Sequence, residues 1–207
     1  MDLTNVKTHA LLKELLARKD LINEQGMTVY PEGYSLITKM TPLPCTDGVP
    51  VRMRQDGTVE GALIVRGSGF YKGKYTMIGG RVAYGRTLAS ALEAHFKTDL
   101  GVQLQMLSDW THPDFVFQYF PQKQEGCGHD PSKHAIALTY LVTLRNSDMQ
   151  YGTTSHGGQE ALGLQWFSFR NRPPSDEFGY NHDVSWTTCL LKAMRSPDIR
   201  RLLPLVD

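Results

Sequence analysis

Apolar residues recur along the chain with two different periods, and the switches between them outline the elements. Over residues 8–25, Leu11, Leu12, Leu15, Leu16, Leu21 and Ile22 fall at helical spacing with polar residues between them, and Gly26 follows as a stop. This predicts an amphipathic N-terminal helix that needs a surface to pack on. Over 41–48, two prolines and the Asp47-Gly48 pair predict a connector rather than a strand. Residues 49–54 and 59–66 then flank Gln55-Asp56-Gly57-Thr58, a hairpin signal in which Gly57 supplies the positive φ of the turn. A linker with Gly67, Gly69 and Gly73 leads to a short strand at 75–78 that ends at Gly79-Gly80. Leu88, Leu92 and Phe96 repeat every four residues and predict a helix over 87–100, stopped by Gly101. Strands are predicted over 102–107, 115–120, 135–144 and 162–169, with a polar loop over 122–133. A closing helix is predicted over 183–196, N-capped by Asp183.

Strands before, between and after one central helix predict an α/β fold, a mixed sheet with helices on its faces. Residues 1–40 read as a helical extension and 41–207 as the main domain. An apolar fraction of 41% and a charged fraction of 21% are those of a globular chain, not a disordered one. Lys and Arg number 22 against 21 Asp and Glu, a net charge of +1, which lacks the basic excess of a general nucleic-acid binder. No apolar run approaches the roughly 18 residues that span a bilayer. The opening Met1-Asp2-Leu3-Thr4-Asn5 has no basic segment leading into an apolar one, so no secretory signal is expected. Cys45, Cys127 and Cys189 are too few and too widely spaced for a disulfide framework or a CxxC metal site. Reduced thiols in a cytoplasmic protein are the expectation.

The most informative stretch is Gly79-Gly80-Arg81-Val82-Ala83-Tyr84-Gly85-Arg86, followed by a helix to Asp99-Leu100-Gly101-Val102. Strand, glycine loop, helix and closing glycine resemble the loop–helix–loop of the Nudix hydrolases. The resemblance runs from about residue 49 to 169 and implies an α/β/α sandwich with a central mixed sheet, here with an extra N-terminal helix. In register, Gly80 and Gly101 match the outer glycines of the family's box. Its acids are largely replaced: Arg86 stands at the first Glu, Ala94-His95 at the Arg-Glu pair and Thr98-Asp99 at the Glu-Glu pair.

Within the family the stretch is most similar to the GDP-mannose mannosyl hydrolase branch. Arg66 lies 13 residues before Gly79, as does an Arg of that branch that grips the diphosphate, and Arg81 matches its second phosphate-binding Arg. Trp110-Thr111-His112 resembles the branch's Trp-x-His, in which the His assists the leaving diphosphate. Glu160 falls in the segment that holds a metal ligand, while Ala161 replaces the base His. Tyr84 and Trp110, with Tyr71, Tyr75 and Phe117, are expected in the core or pocket wall, where an aromatic ring can stack on a base or sugar.

Elementary chemistry bears on the same residues. A diphosphate carries about two negative charges, which arginine forks and a divalent ion neutralise. Mg²⁺ prefers oxygen ligands and keeps several waters, so Asp99, Glu160 and the Gly80 carbonyl would suffice. His95 and Asp99 share a helix face at i and i+4 with Thr98 beside them, and a His/Asp pair suits Mn²⁺ or Zn²⁺ better than Mg²⁺. With so few acids, metal binding is expected to be weak and to depend on the substrate's own oxygens. The leading expectation is a metal-assisted hydrolase of a nucleoside diphosphate derivative, a nucleotide sugar among the options, with His112, Glu160 and His95 as catalytic candidates. The alternative is an impaired Nudix-fold protein that binds a nucleotide or sugar ligand as a sensor or accessory module. A small nucleotide ligand, neither nucleic acid nor membrane, and a second copy of the chain are the expected partners.

Overall fold

The computed structural model describes residues 37–107, 109–144 and 161–206. The helix predicted over 8–25 and the metal candidate Glu160 lie outside the described residues.

The fold is organised by β1 (Leu43–Arg54), which runs from one half of a curled, ten-stranded mixed sheet into the other. Its first part pairs antiparallel with β4 (Ile78–Arg81) on one side, Cys45 opposite Arg81 and Gly48 opposite Ile78. On the other side it pairs parallel with β8 (Ala135–Leu144). Its last residues pair instead with β2 (Val59–Arg66) and with the terminal β10 (Leu205–Val206). Around this axis β3 (Tyr75–Thr76) and β9 (Ala161–Ser168) flank β2, while β5 (Leu104–Met106) and β6 (Phe115–Phe120) flank β8, and β7 (Gly128–His129) pairs β6.

The connector expected over 41–48 is therefore a central strand. Both prolines of β1 sit where a missing N–H costs little. Pro44 faces the end of β4, where its carbonyl accepts the Val82 N–H at 2.9 Å. Pro50 faces the seam between the last β4 pair, at Gly48, and the first β2 pair, at Val51. The 49–54/59–66 hairpin forms as expected, with Gly57 at φ 82° and the Thr58 N–H donating to Asp56 Oδ1 at 2.9 Å.

Period-two alternation sends neighbouring residues to opposite faces, and a helix covers each. Helix α1 (Leu88–Leu100) begins at Thr87, whose hydroxyl accepts the Ser90 N–H, and ends at Gly101 in the left-handed region, φ 70°. Its Leu92, Phe96 and Leu100 pack with Ala62, Ile64, Ile78, Tyr140 and Val142. On the other face α2 (His182–Arg195) sets Trp186, Cys189 and Leu190 against Val49, Val51, Leu63 and Leu141. The α/β/α sandwich is thus the observed architecture. The N-cap position of α2 is Asn181, in a left-handed conformation and without a side-chain capping bond, not Asp183, which lies in the first turn where a negative charge suits the helix dipole. A short α3 (Pro197–Leu202) follows. Among the described residues no helix is long and apolar enough to cross a membrane.

Gly48 shows how closely α1 is seated. A Cβ there would come within 2.6 Å of the fully buried Phe96 ring. Gly48→Ala should destabilise the protein by about 1–3 kcal/mol through overpacking. Phe96→Leu, itself destabilising, should absorb part of that cost in the double variant, so urea unfolding of the four proteins should show clear non-additivity.

Candidate functional site

The seam in β1 has a counterpart on the facing chain. The run 75–81 pairs first with β2 (Thr76 opposite Ile64) and then with β1 (Ile78 opposite Gly48), leaving Met77 between the two ladders. Its N–H donates to His182 Nδ1 at 2.9 Å, from the first residue of α2. Immediately beyond, β4 pairs only with β1 and carries Gly79 and Gly80. A Cβ on Gly79 would collide with Asp47 Oδ1, and one on Gly80 would lie 2.9 Å from the His95 ring. Glycine at both positions thus leaves the two faces of the sheet edge open to side chains from β1 and from α1.

A cavity of about 480 Å³ occupies this edge, a size usual for small-molecule sites. Cys45, Asp47, Tyr119 and His182 line it from the face that carries α2, and Ala91, Ala94, His95 and Thr98 from α1. Arg66, Arg81, Arg86 and Lys133 contribute four cations, against the two carboxylates of Asp47 and Asp130. Asp130 is fully engaged: it accepts from the Ser132 N–H at 2.8 Å, the Ser132 hydroxyl at 2.5 Å and Lys133 Nζ at 2.6 Å. Burial works to raise its pKa, but these donors hold the carboxyl below its ordinary range. No described residue donates to Asp47 in this way, and burial pushes it up to about 7, with the Lys133 charge opposing. His182 is pushed down to about 3 by burial, with the nearby Arg66 guanidinium adding to the effect, so it is neutral at physiological pH. The Arg66 guanidinium lies 5.3 Å from the centre of the Tyr180 ring, beside His182. Burial drives the Cys45 thiol up to about 12, which makes it an inert wall rather than a nucleophile.

The structure brings some of the sequence candidates together and separates others. Arg66, Arg81, Gly80 and His95 all line the cavity. His95 Nε2 lies 3.1 Å from the Arg81 carbonyl, which can only accept, so that nitrogen carries the proton and is engaged within the fold. Asp99 is buried but is not part of the cavity wall, which α1 forms through 91, 94, 95 and 98. Tyr84 is 87% exposed and likewise outside the wall, as are Trp110 and His112. Thr111 and His112 belong to an exposed turn in which the Thr111 N–H donates to Asp109 Oδ1 at 3.0 Å and the Thr111 hydroxyl meets His112 Nδ1 at 2.8 Å. That turn precedes Phe115, whereas Tyr119 at the cavity is four residues on, about 13 Å along β6.

Asp47, Asp130, Lys133, Tyr180 and His182 are the site residues that sequence reasoning misses. Asp47 reads as half of an Asp-Gly turn, Asp130 and Lys133 as parts of a polar loop, and His182 as the residue before a helix. The one local trace is Gly79, the side-chain-free position that faces Asp47 across the ladder.

Among the described residues no group of three or more His, Cys, Asp or Glu side chains converges to hold a divalent ion. Within the cavity Asp130 is already saturated, and among the described residues Asp47 is the carboxylate facing it that no side chain or backbone N–H donates to.

A family model described as a domain of unknown function, DUF4916, matches residues 29–194. The chain belongs to that family. No curated protein sequence matches it. It is similar to a structure from Jonesia denitrificans described as a possible asymmetric diadenosine tetraphosphate hydrolase, with 27% identity over 76% of this chain and 98% of that one, at a TM-score of 0.63. A MutT/Nudix family protein of Enterococcus faecalis is similar at 13% identity over 95% of this chain and 80% of its own, TM-score 0.56. The Nudix domain of Shewanella oneidensis NrtR, solved with ADP-ribose, is similar at 12% identity over 87% and 97%, TM-score 0.52. The fold of this DUF4916 chain is that of the Nudix hydrolases.

Opposed titrations in the site give a pH signature. Between about pH 4 and 6.5 native Asp47 keeps a proton that the unfolded chain has lost, because its pKa rises from 3.8 to about 7, so its contribution to stability falls as pH rises. Over the same window native His182 lacks a proton that the unfolded chain binds, because its pKa falls from 6.5 to about 3, so its contribution rises with pH. Each slope is about 1.4 kcal/mol per pH unit, and the two cancel. Relative to wild type, Asp47→Asn should lose stability on acidification from pH 6.5 to 4.5, and His182→Asn should gain it. Urea unfolding at the two pH values measures both slopes. Parallel changes in all three proteins would refute the assignment.

Proposed function

We propose that this protein binds a nucleoside diphosphate derivative in the cavity at the β4 edge and hydrolyses it at the diphosphate. The observation that carries the reading is the charge of the wall: with Lys133 and Asp130 paired to each other, Arg66, Arg81 and Arg86 stand against the single carboxylate of Asp47 among the lining residues. Such a wall suits a ligand with about two negative charges, and arginine forks match phosphate oxygens in pairs. The related structures support the ligand class, since diadenosine tetraphosphate and ADP-ribose both carry linked phosphates on a nucleoside. A nucleotide sugar cleaved between its two phosphorus atoms belongs to the same ligand class and is the finer form of the proposal. In the reaction, water attacks one phosphorus, the bridging P–O bond breaks, and the arginines offset the charge that develops on the leaving phosphate. Mg²⁺ or Mn²⁺ would have to bind chiefly through the ligand's own oxygens.

A second reading, binding without turnover, is favoured by the composition of the cavity-facing side of α1 and the loop before it. Arg86, Ala94, His95 and Thr98 stand there, and none is a carboxylate. Thermal shift and hydrolysis measured on the same panel of nucleotide sugars, dinucleotides and nucleoside triphosphates, with Mg²⁺ or Mn²⁺ added, separate the two. Turnover supports the enzyme, shifts without turnover support the binding module, and neither overturns both. With a ligand in hand, Arg81→Ala should weaken binding by about 1.5–3 kcal/mol if the contact is charge-assisted. His112→Ala, in the exposed turn, should leave the dissociation constant unchanged by calorimetry.

A further inference from the structure

We propose that Asp47 and His182 form a hydroxyl-reading corner of the cavity, which takes a sugar hydroxyl of the diphosphate ligand as donor to Asp47 and acceptor from His182. The inference rests on the proposed function and specifies the part of the ligand that is not phosphate.

Two polar groups line the same cavity, each more than nine-tenths buried: Asp47 is 6% exposed and His182 8%. Their hydrogen-bonding polarity is opposite. No described residue donates to the Asp47 carboxylate; its surroundings act on it only through burial and the Lys133 charge. His182 must accept the Met77 N–H at Nδ1, so its proton sits on Nε2. Nε2 meets no acceptor among the described residues and is not sealed from the cavity.

An acceptor and a donor left unmatched in a buried wall cost free energy until something supplies both partners. Register brings the two to one end of β4: Asp47 faces Gly79 across the ladder, and His182 takes the Met77 N–H two residues earlier on the same run. The His182 ring centre is 5.6 Å from that of Tyr119, which lines the same cavity. Above about pH 7, where Asp47 is ionised, a phosphate oxygen satisfies His182 but is repelled by Asp47. An ammonium satisfies Asp47 but offers nothing to His182. A hydroxyl, with one donor and two lone pairs, satisfies both. Two left-handed residues, Tyr180 at φ 60° and Asn181 at φ 62°, lead directly into His182 and set the direction in which α2 starts.

The test uses three ligands whose methylene bridge resists hydrolysis: methylenediphosphonate, α,β-methylene-ADP and methylene-bridged ADP-ribose. Calorimetry is run on the full chain and on three variants. Asp47→Leu removes the acceptor but keeps a branched shape, Asp47→Asn keeps one acceptor oxygen, and His182→Asn keeps an acceptor for Met77 while its shorter amide withdraws the donor from the position Nε2 reaches. Asp47→Leu and His182→Asn should each weaken at least one sugar-bearing ligand about tenfold, the loss of one good hydrogen bond, and change methylenediphosphonate less than twofold. Asp47→Asn should fall between Asp47→Leu and wild type. Retained methylenediphosphonate binding also shows that a variant is folded. Equal weakening of all three ligands, or of none, overturns the proposal. Wild type that binds methylenediphosphonate as tightly as the sugar-bearing ligands overturns it while leaving the proposed function standing. Wild type that binds none of the three overturns both.

Discussion

Backbone hydrogen bonding along β1 is the constraint on which the rest of the structure depends. A twelve-residue strand in the middle of a curled sheet must keep partners on both edges, and β1 does so by exchanging β4 and β8 for β2 and β10 part-way along. At the exchange the ladders are interrupted, and each interruption is resolved chemically. Pro50 has no N–H to leave unpaired, and the Met77 N–H is taken by His182. The imidazole is thereby held at the first residue of α2, in one tautomer, at the end of the sheet where β4 stops being covered.

The cavity follows from that arrangement. An edge strand is ordinarily a liability, open to pairing with another chain. Here β4 carries two glycines beneath Asp47 and His95, and the loops on either side fold over it with arginines and Lys133. The outcome is a small volume with mixed electrostatics: a cationic stretch from Arg81 and Arg86 near the start of α1, and a deeper end where Asp47 and His182 have shifted pKa values in opposite senses. Shifts caused mainly by burial in a concave site are what ligand-binding walls accumulate, because the same removal of water strengthens contacts to a bound molecule.

Local signals sufficed where a single segment decides its own state. Leu88, Leu92 and Phe96, with Thr87 and Gly101 at the ends, specify α1, and the Asp56-Gly57 turn specifies the β1–β2 hairpin. The same signals misled where the partner is remote. Pro44 and the Asp47-Gly48 pair read as a connector, yet β8, about ninety residues on, pairs with every one of these residues, and parallel pairing leaves no local trace. The Trp110–His112 motif matched a sequence pattern, but its turn lies at the far end of β6 from the cavity, because the register of β6 against β8 sets which end of the strand meets the site.

What the sequence by itself determined is therefore the α/β class, the glycine-bounded helix with its loop, and the arginines that the loop and β2 carry. These depend on periodicity, caps and turn chemistry within about fifteen residues. Tertiary structure alone decided that Asp47 faces Gly79 across a ladder, that Asp130 and Lys133 come over from the β7–β8 loop, and that His182 answers an orphan N–H more than a hundred residues before it. The physical reason is that a buried polar group is defined by what surrounds it. Its protonation, tautomer and free valences are set by neighbours from other strands, and those exist only once the sheet has closed around β1.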